Sequence, residues 1–252
     1  MRRLGLKDIF QYIKNIIKRV RDAIKTFPYF GNGKVCPICG KYFHAFRIYG
    51  KFPNVDLQCP ICYSFSRHRL LYIFLMKKTD FFERLEKKFL HVSPNYCFQA
   101  KFKKIFSEGY LSTYLSDSEA MVKMDITDID YQDKYFDIIF CNHVLEHIKD
   151  DKKALSELYR VLKDDGWAIL IVPISTDKTF EDASIVDSAE RLQVFGQKDH
   201  VRLCGKDYID RFREAGFKVE TIRAKDLLKK DEAVEMGIEM AAGEIYYCTK
   251  GI

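Results

Sequence analysis

No run of apolar residues in this sequence approaches the ~20 that a membrane-spanning helix needs. Nor does any compact apolar stretch have the shape of a cleavable signal, so the expected location is the cytoplasm. Internal repeats and low-complexity tracts are also missing. Net charge is absent from most of the chain. Residues 1–30 carry eight basic side chains against Asp8 and Asp22, which accounts for the whole formal charge of +6. The remaining residues balance, 34 basic against 34 acidic. A protein that grips nucleic acid along its main body shows a basic body, so nucleic acid is not the expected partner. The 252 residues, 47% of them hydrophobic, leave room for one full α/β domain and something small beside it.

The cysteines lack the spread of a secreted disulfide framework. Of eight, Cys97, Cys141, Cys204 and Cys248 are scattered, while Cys36-Pro37-Ile38-Cys39 and Cys59-Pro60-Ile61-Cys62 form two C-x-x-C pairs. Each such turn puts two sulfurs on one side of an ion, and four thiolates satisfy tetrahedral zinc with no open position for catalysis. Gly40 directly after the first pair suits the positive-φ turn that aims backbone amides at the sulfurs. A structural zinc on Cys36, Cys39, Cys59 and Cys62 is the expectation, with a redox dithiol as the rival reading. Ser66-Arg67-His68-Arg69 opens the helix that follows. Its arginines read as solvated charges, as contacts to a neighbouring domain, or as a nucleic-acid contact.

Along residues 5–26, Leu6, Ile9, Phe10, Ile13, Ile16, Ile17, Val20 and Ile24 recur at three- and four-residue spacing, one apolar stripe opposite a basic face. Such a helix packs on the body or on a second copy, or lies at the inner membrane face among anionic headgroups. Helix is expected again from Phe65 to Lys78. Thereafter strands and helices alternate. Strands are expected at Phe89–Val92, Tyr110–Tyr114, Met121–Met124, Phe136–Cys141, Trp167–Val172, Phe217–Ile222 and Ile245–Cys248, with helices at Tyr96–Phe106, Lys152–Leu162 and Asp207–Ala215. Nearly continuous apolar strands alternating with helices indicate a parallel sheet covered on both faces. Residues 174–200 and 225–243 read as longer polar connections of the kind that carry substrate lids.

The run Tyr135-Phe136-Asp137-Ile138-Ile139-Phe140-Cys141-Asn142-His143-Val144-Leu145-Glu146-His147-Ile148, continued by Tyr159-Arg160-Val161-Leu162-Lys163 and Gly166-Trp167, resembles the fourth strand, next helix and fifth strand of class I S-adenosylmethionine-dependent methyltransferases of the type 11 group. The resemblance implies a Rossmann-like α/β sheet over residues 85–252, with helices on both faces. Before it stand a basic amphipathic helix (1–30) and a zinc-ribbon or treble-clef-like module (34–80). The order of knuckles, helix and Leu90-His91-Val92-Ser93-Pro94 also resembles a bacterial subgroup associated with surface glycans.

Such sheets bind ligands beyond the carboxyl ends of their strands, at the topological switch point. The resemblance implies that His91, Ser93 and Asn95 meet the methionine moiety of the cofactor, Asp117 the ribose, Asp125 and Ile126 the adenine, and Asn142 and His143 the methyl centre. Two departures stand out. The loop from His91 to Asn95 holds no glycine, and Tyr114 occupies the place of the acidic ribose ligand, leaving Asp117 to replace it. Methyl transfer needs alignment and a base for the acceptor, and His143 and His200 are the candidates. Glu146-His147 is expected to begin the next helix, and with His143 it resembles the E-x-x-E-H metal cluster of some O-methyltransferases. Phe195–Arg202, polar and within a lid, is read as an acceptor-binding segment. Asn-Pro-Pro and Pro-Cys motifs are absent after the fourth strand, which argues against adenine-N6 and cytosine-C5 chemistry. The expected function is O-methylation of a sugar, glycan or related small molecule. The alternatives are a zinc-bearing RNA methyltransferase and an inactive module of the same shape.

Overall fold

The computed structural model describes residues 26–51, 54–114, 120–239 and 242–251. The expected helix over 5–26 and Asp117 lie outside the described residues. No described helix is long and apolar enough to cross a membrane.

The chain begins with two antiparallel hairpins, β1 (Phe30–Val35) with β2 (Tyr42–Phe43) and β3 (Arg47–Lys51) with β4 (Asn54–Gln58). Helix α1 (Ser66–Lys78) follows. Seven strands then make the main sheet: β5 (Phe89–Val92), β6 (Tyr110–Tyr114), β7 (Val122–Lys123), β8 (Phe136–Asn142), β9 (Leu162–Ile171), β13 (Phe217–Ile222) and β14 (Ile245–Lys250). Their spatial order is β13-β14-β9-β8-β5-β6-β7. The sheet is parallel except for β14, which inserts antiparallel between β9 and β13. A purely parallel sheet was the expectation. The last strand departs from it: β14 pairs antiparallel with both β13 and β9, although the connection 223–244 that precedes it is long enough for a crossover.

Side chains alternate across the sheet at period two. Phe89, Ile138, Phe140, Trp167 and Ile169 face one core with α1 and α2 (Tyr96–Phe106). Leu90, Val92, Ile139, Cys141, Ala168 and Leu170 face the other, with α3 (Asp151–Val161) and α5 (Tyr208–Glu214). The first core also takes in Cys36, Ile38, Phe43, Phe46 and Cys59. The knuckles, α1 and the sheet therefore share one hydrophobic cluster.

Three local features differ from expectation. Glu146 and His147 do not begin a helix; Leu145–His147 is a single 3₁₀ turn, and α3 starts at Asp151, where the Asp150 carboxylate accepts from Lys153 N at 3.0 Å. Strand β9 begins at Leu162, well before Trp167, and its register against β8 shifts at Gly166. A Cβ at Gly166 would stand 2.8 Å from Asp137 O, so only glycine allows this approach. The region 174–200 is not an open loop. Strands β10 (Ile174–Thr176), β11 (Phe180–Glu181) and β12 (Arg202–Gly205) form a small sheet, and α4 (Ser188–Phe195) lies between them in sequence. In the region 225–243, helices α6 (Ala224–Leu227) and α7 (Lys230–Glu235) occur.

Phe81, in the connection from α1 to β5, is fully buried among six rings: Phe82, Phe89, Phe102, Phe106, Phe140 and Trp167, at centroid distances of 4.8–6.0 Å. Edge-to-face pairs of this kind add to the area buried. Phe81→Ala is expected to lower unfolding free energy by about 3–5 kcal/mol, and Phe81→Leu by much less, as read by urea denaturation.

Candidate functional site

Two equivalent turns bring four sulfurs together. Gly40 N donates to Cys36 O at 2.8 Å, and Tyr63 N to Cys59 O at 3.1 Å. The residue after each pair is left-handed, Gly40 at φ +67° and Tyr63 at φ +59°. Cys36 and Cys62 sulfurs lie 3.6 Å apart and those of Cys39 and Cys59 3.7 Å apart. All four fall within 4.8 Å of one another. Ligands of a tetrahedral ion at about 2.3 Å would be separated by about 3.8 Å. The Ser64 hydroxyl stands 3.2 Å from Cys62 Sγ.

Arg69 is no surface charge. It is fully buried, donates to Leu57 O and Met236 O at 2.8 Å and also to Ser64 O and Gly237 O, and lies over the Phe46 ring. This guanidinium ties β4, the second knuckle and the 236–237 turn together, which removes it from any nucleic-acid surface. Arg67 stands apart from it, and its Nη1 pairs with Asp56 Oδ2 at 3.2 Å.

At the carboxyl ends of β5–β8 lies a cleft of about 490 Å³. It sits at the switch point, since the chain runs outward from β5 through β6 and β7 on one side and from β8 to β9 on the other. Ser93, Tyr114, Asp125, Ile126 and His143 line it. Ser93 takes φ +48° and donates its amide to Thr113 O at 2.8 Å. The glycine-free loop thus adopts the left-handed turn with a serine, at a strain cost. Asp125 Oδ1 accepts from Thr127 N and Oγ1 at 2.8 and 2.9 Å; its second oxygen bonds to no other described residue.

Three expected cofactor contacts, His91, Asn95 and Asn142, do not line this cleft. His91 is buried: its ring stacks on Phe89 and bonds to Tyr110 Oη at 3.0 Å, and burial lowers its imidazole to about 3. The strand period explains it, because His91 falls on the same face as Phe89. Asn95 is half-buried at the start of α2, with its side chain making no cap and lining neither cleft. Asn142 ends β8, buried, with neither amide atom hydrogen-bonded within the protein.

His143 lines both this cleft and a second, larger one of about 670 Å³. Its φ of +56° is held by its amide donating to Ile171 O at 2.7 Å. Nδ1 stands 3.4 Å from Glu146 Oε1, while Nε2 is buried with no partner in the protein. Glu146 is fully buried and its Oε2 is likewise unpartnered. Orphaned buried polar atoms are rare in folded proteins and call for an explanation. Here His68 Nε2, Asn142, His143 Nε2 and Glu146 Oε2 are all of this kind.

His200 does not join His143. It is buried behind His147, ring centroids 4.7 Å apart, with Nδ1 against Phe195 O, and burial holds it below the ordinary imidazole range. The metal-competent side chains that come together on this loop are Glu146, His147 and His200, without His143. The segment Phe195–Arg202 divides. Gln197 and Asp199 line the smaller cleft, whereas Arg202 is buried and structural. Arg202 donates to Leu145 O and Ile148 O at 2.6 Å and to Lys149 O at 2.9 Å, and pairs with Glu181 at 2.8 Å. It clamps the loop that carries Glu146. Sequence reasoning missed that role, although an arginine flanked by Val201 and Leu203 in a short strand was its one signal.

Residues 99–170 match the family described as a methyltransferase domain. No curated protein matches the chain. Among solved structures, an S-adenosylmethionine-dependent methyltransferase of Thermotoga maritima is 17% identical over 73% of this chain and 91% of its own, with a TM-score of 0.41. One of Mesorhizobium loti is 11% identical over 64% of this chain and 90% of its own, also at 0.41.

Because Ser93 is strained, Ser93→Gly is expected to keep or raise stability by roughly 1 kcal/mol. Ser93→Val, with a branched Cβ in the same turn, is expected to lose a similar amount and to weaken S-adenosylhomocysteine binding. Thermal melts and calorimetry on the two variants check both.

Proposed function

We propose that this chain, a class I S-adenosylmethionine-dependent methyltransferase, methylates a hydroxyl of a sugar, glycan or related small molecule. The observation that carries the reading is the place of His143, shared by the two clefts and backed by buried Glu146. The smaller cleft suits the cofactor. Asp125 has a carboxylate oxygen left for the adenine amino group, Ile126 offers an apolar side, and the Ser93 turn brings backbone close to the methionine end. The cofactor supplies a methyl group already activated on a sulfonium. What the protein adds is alignment and a base. His143 is that base: Glu146 orients Nδ1, and Nε2, buried and without a protein partner, takes the proton of an acceptor hydroxyl whose binding from the larger cleft uncovers it. His200, screened by His147, is not placed for this step.

The four cysteines are proposed to hold one structural zinc, which their sulfur separations fit. An RNA acceptor is disfavoured by the neutral charge beyond residue 30 and by the inward-facing Arg69.

Elemental analysis of metal-replete protein is expected to give close to one zinc per chain; under ~0.3 would overturn the assignment. Cys39→Ser should unfold the knuckle region, measured as lost protection in hydrogen exchange. His143→Ala is expected to cut methyl transfer by ~10²–10⁴-fold while holding S-adenosylmethionine affinity within about threefold. Tritium incorporation from labelled cofactor into a panel of sugars and nucleotide sugars, with calorimetry in parallel, reads both. Equal loss of binding and turnover would mean that His143 only orders the cofactor loop.

A further inference from the structure

The larger cleft is walled on one side by the knuckle half of the chain. Asp56, Ser66, Arg67 and Leu70 line it there, facing Lys206, Arg223, Glu239 and Glu244 across the ends of β9 and β14. Its volume of about 670 Å³ lies within the roughly 300–1,000 Å³ range of small-molecule sites. The knuckle half thus contributes a charged pair to the same cleft that His143 lines.

We infer that this wall is part of the acceptor site, and that the Asp56–Arg67 pair recognises an uncharged, polyhydroxylated acceptor. The inference rests on the hydroxyl-methylation reading above and names which residues hold that acceptor.

The chemistry follows from how the charges are matched. Arg67 Nη1 pairs with Asp56 at 3.2 Å, Arg223 Nη2 with Glu244 at 2.6 Å and Lys206 with Asp177 at 2.6 Å. Every described cation on the cleft is thus already neutralised, and none is left over for a phosphate or carboxylate. Paired carboxylates and guanidinium groups still have free acceptor and donor edges, which suit hydroxyls. Arg67 keeps a buried Nε–H with no partner, and its guanidinium is braced over the Phe65 ring at 4.8 Å. Leu70, Ile171, Val172, Pro173 and Ile245 supply the apolar surface that the C–H face of a sugar ring needs.

Position in sequence links this pair to the metal site. Asp56 stands three residues before Cys59 and Arg67 five after Cys62, so the second knuckle is the loop that closes between them. Asp56 Oδ1 accepts from Leu57 N at 2.7 Å and from Ser66 N at 3.3 Å, which fixes the carboxylate between β4 and the first turn of α1. Ser66 Oγ in turn donates to Gly237 O at 2.9 Å, bracing this wall against the turn that leads to Glu239. Closure of the knuckle therefore sets the separation of the two side chains that meet the acceptor.

The test uses zinc-loaded full-length protein with S-adenosylhomocysteine bound. Saturation-transfer NMR is run with the methyl glycosides of glucose, galactose, mannose and N-acetylglucosamine, and with glucose 1-phosphate. At least one glycoside is expected to bind, and Arg67→Gln and Asp56→Asn are each expected to weaken it about tenfold or more. Zinc content and S-adenosylhomocysteine affinity should stay at wild-type values in both variants, which separates recognition from folding. Equal glycoside binding by wild type and both variants would overturn the role of the pair. Binding of no glycoside to wild-type protein that binds S-adenosylhomocysteine, or a clear preference for glucose 1-phosphate, would overturn the uncharged polyol as occupant. Failure of wild-type protein to bind S-adenosylhomocysteine would instead remove the methyltransferase reading on which the inference rests.

Discussion

Helix α1 has two obligations that cannot be met separately. Its first turn follows the second knuckle directly, so the four sulfurs converge only if the helix starts where it does. From Leu70 to Leu75 it is buried against the aromatic face of the sheet, and Phe81 beyond its end is locked among six rings. The helix is polar where it meets Asp56 and apolar where Phe74 meets the Tyr247 ring of β14. Because one rigid element serves both ends, the position of the knuckles relative to the strand tips is set by side-chain packing, not by a linker. Close-packed interiors transmit such constraints without slack.

Two of the five described non-glycine residues with positive φ stand at strand tips that face the clefts. Ser93 after β5 and His143 after β8 both hold positive φ without being glycine. These are the central two strands of the parallel part of the sheet, on either side of the switch point. Backbone in this conformation persists only where its surroundings over-determine it. For His143 those surroundings are Ile171 O on one side and the Glu146 loop on the other, itself clamped through three carbonyls by Arg202. The stable parts of the small sheet thus hold the reactive turn in place.

Much of this was legible in the residues. The apolar runs at Phe89–Val92 and Phe136–Cys141 mark buried parallel strands by composition alone, and the C-x-x-C pairs mark a four-sulfur cluster by spacing. The antiparallel last strand was not legible, since pairing direction depends on where the preceding connection ends in space. Nor was the fate of His91, whose chemistry suits a cofactor contact while its place in the period-two pattern commits it to the core. The roles of Arg69 and Arg202 were only weakly legible, since the carbonyls that make them internal struts come from distant segments. The larger cleft was invisible because its two walls are more than 100 residues apart in the chain.

His91 has a consequence for how the protein meets acid. The folded chain keeps this imidazole neutral down to about 3, whereas the unfolded chain protonates it near 6.5. Over that interval the unfolded ensemble takes up a proton that the folded core refuses, and folding loses on the order of 1.4 kcal/mol for each unit of pH. Above 6.5 the residue is silent, and below about 3 it adds nothing more, because both states then carry the charge. A ring stacked on Phe89 and hydrogen-bonded to Tyr110 thus acts as a proton-exclusion point. It sets an acidic limit on the sheet that a phenylalanine at the same position would not impose.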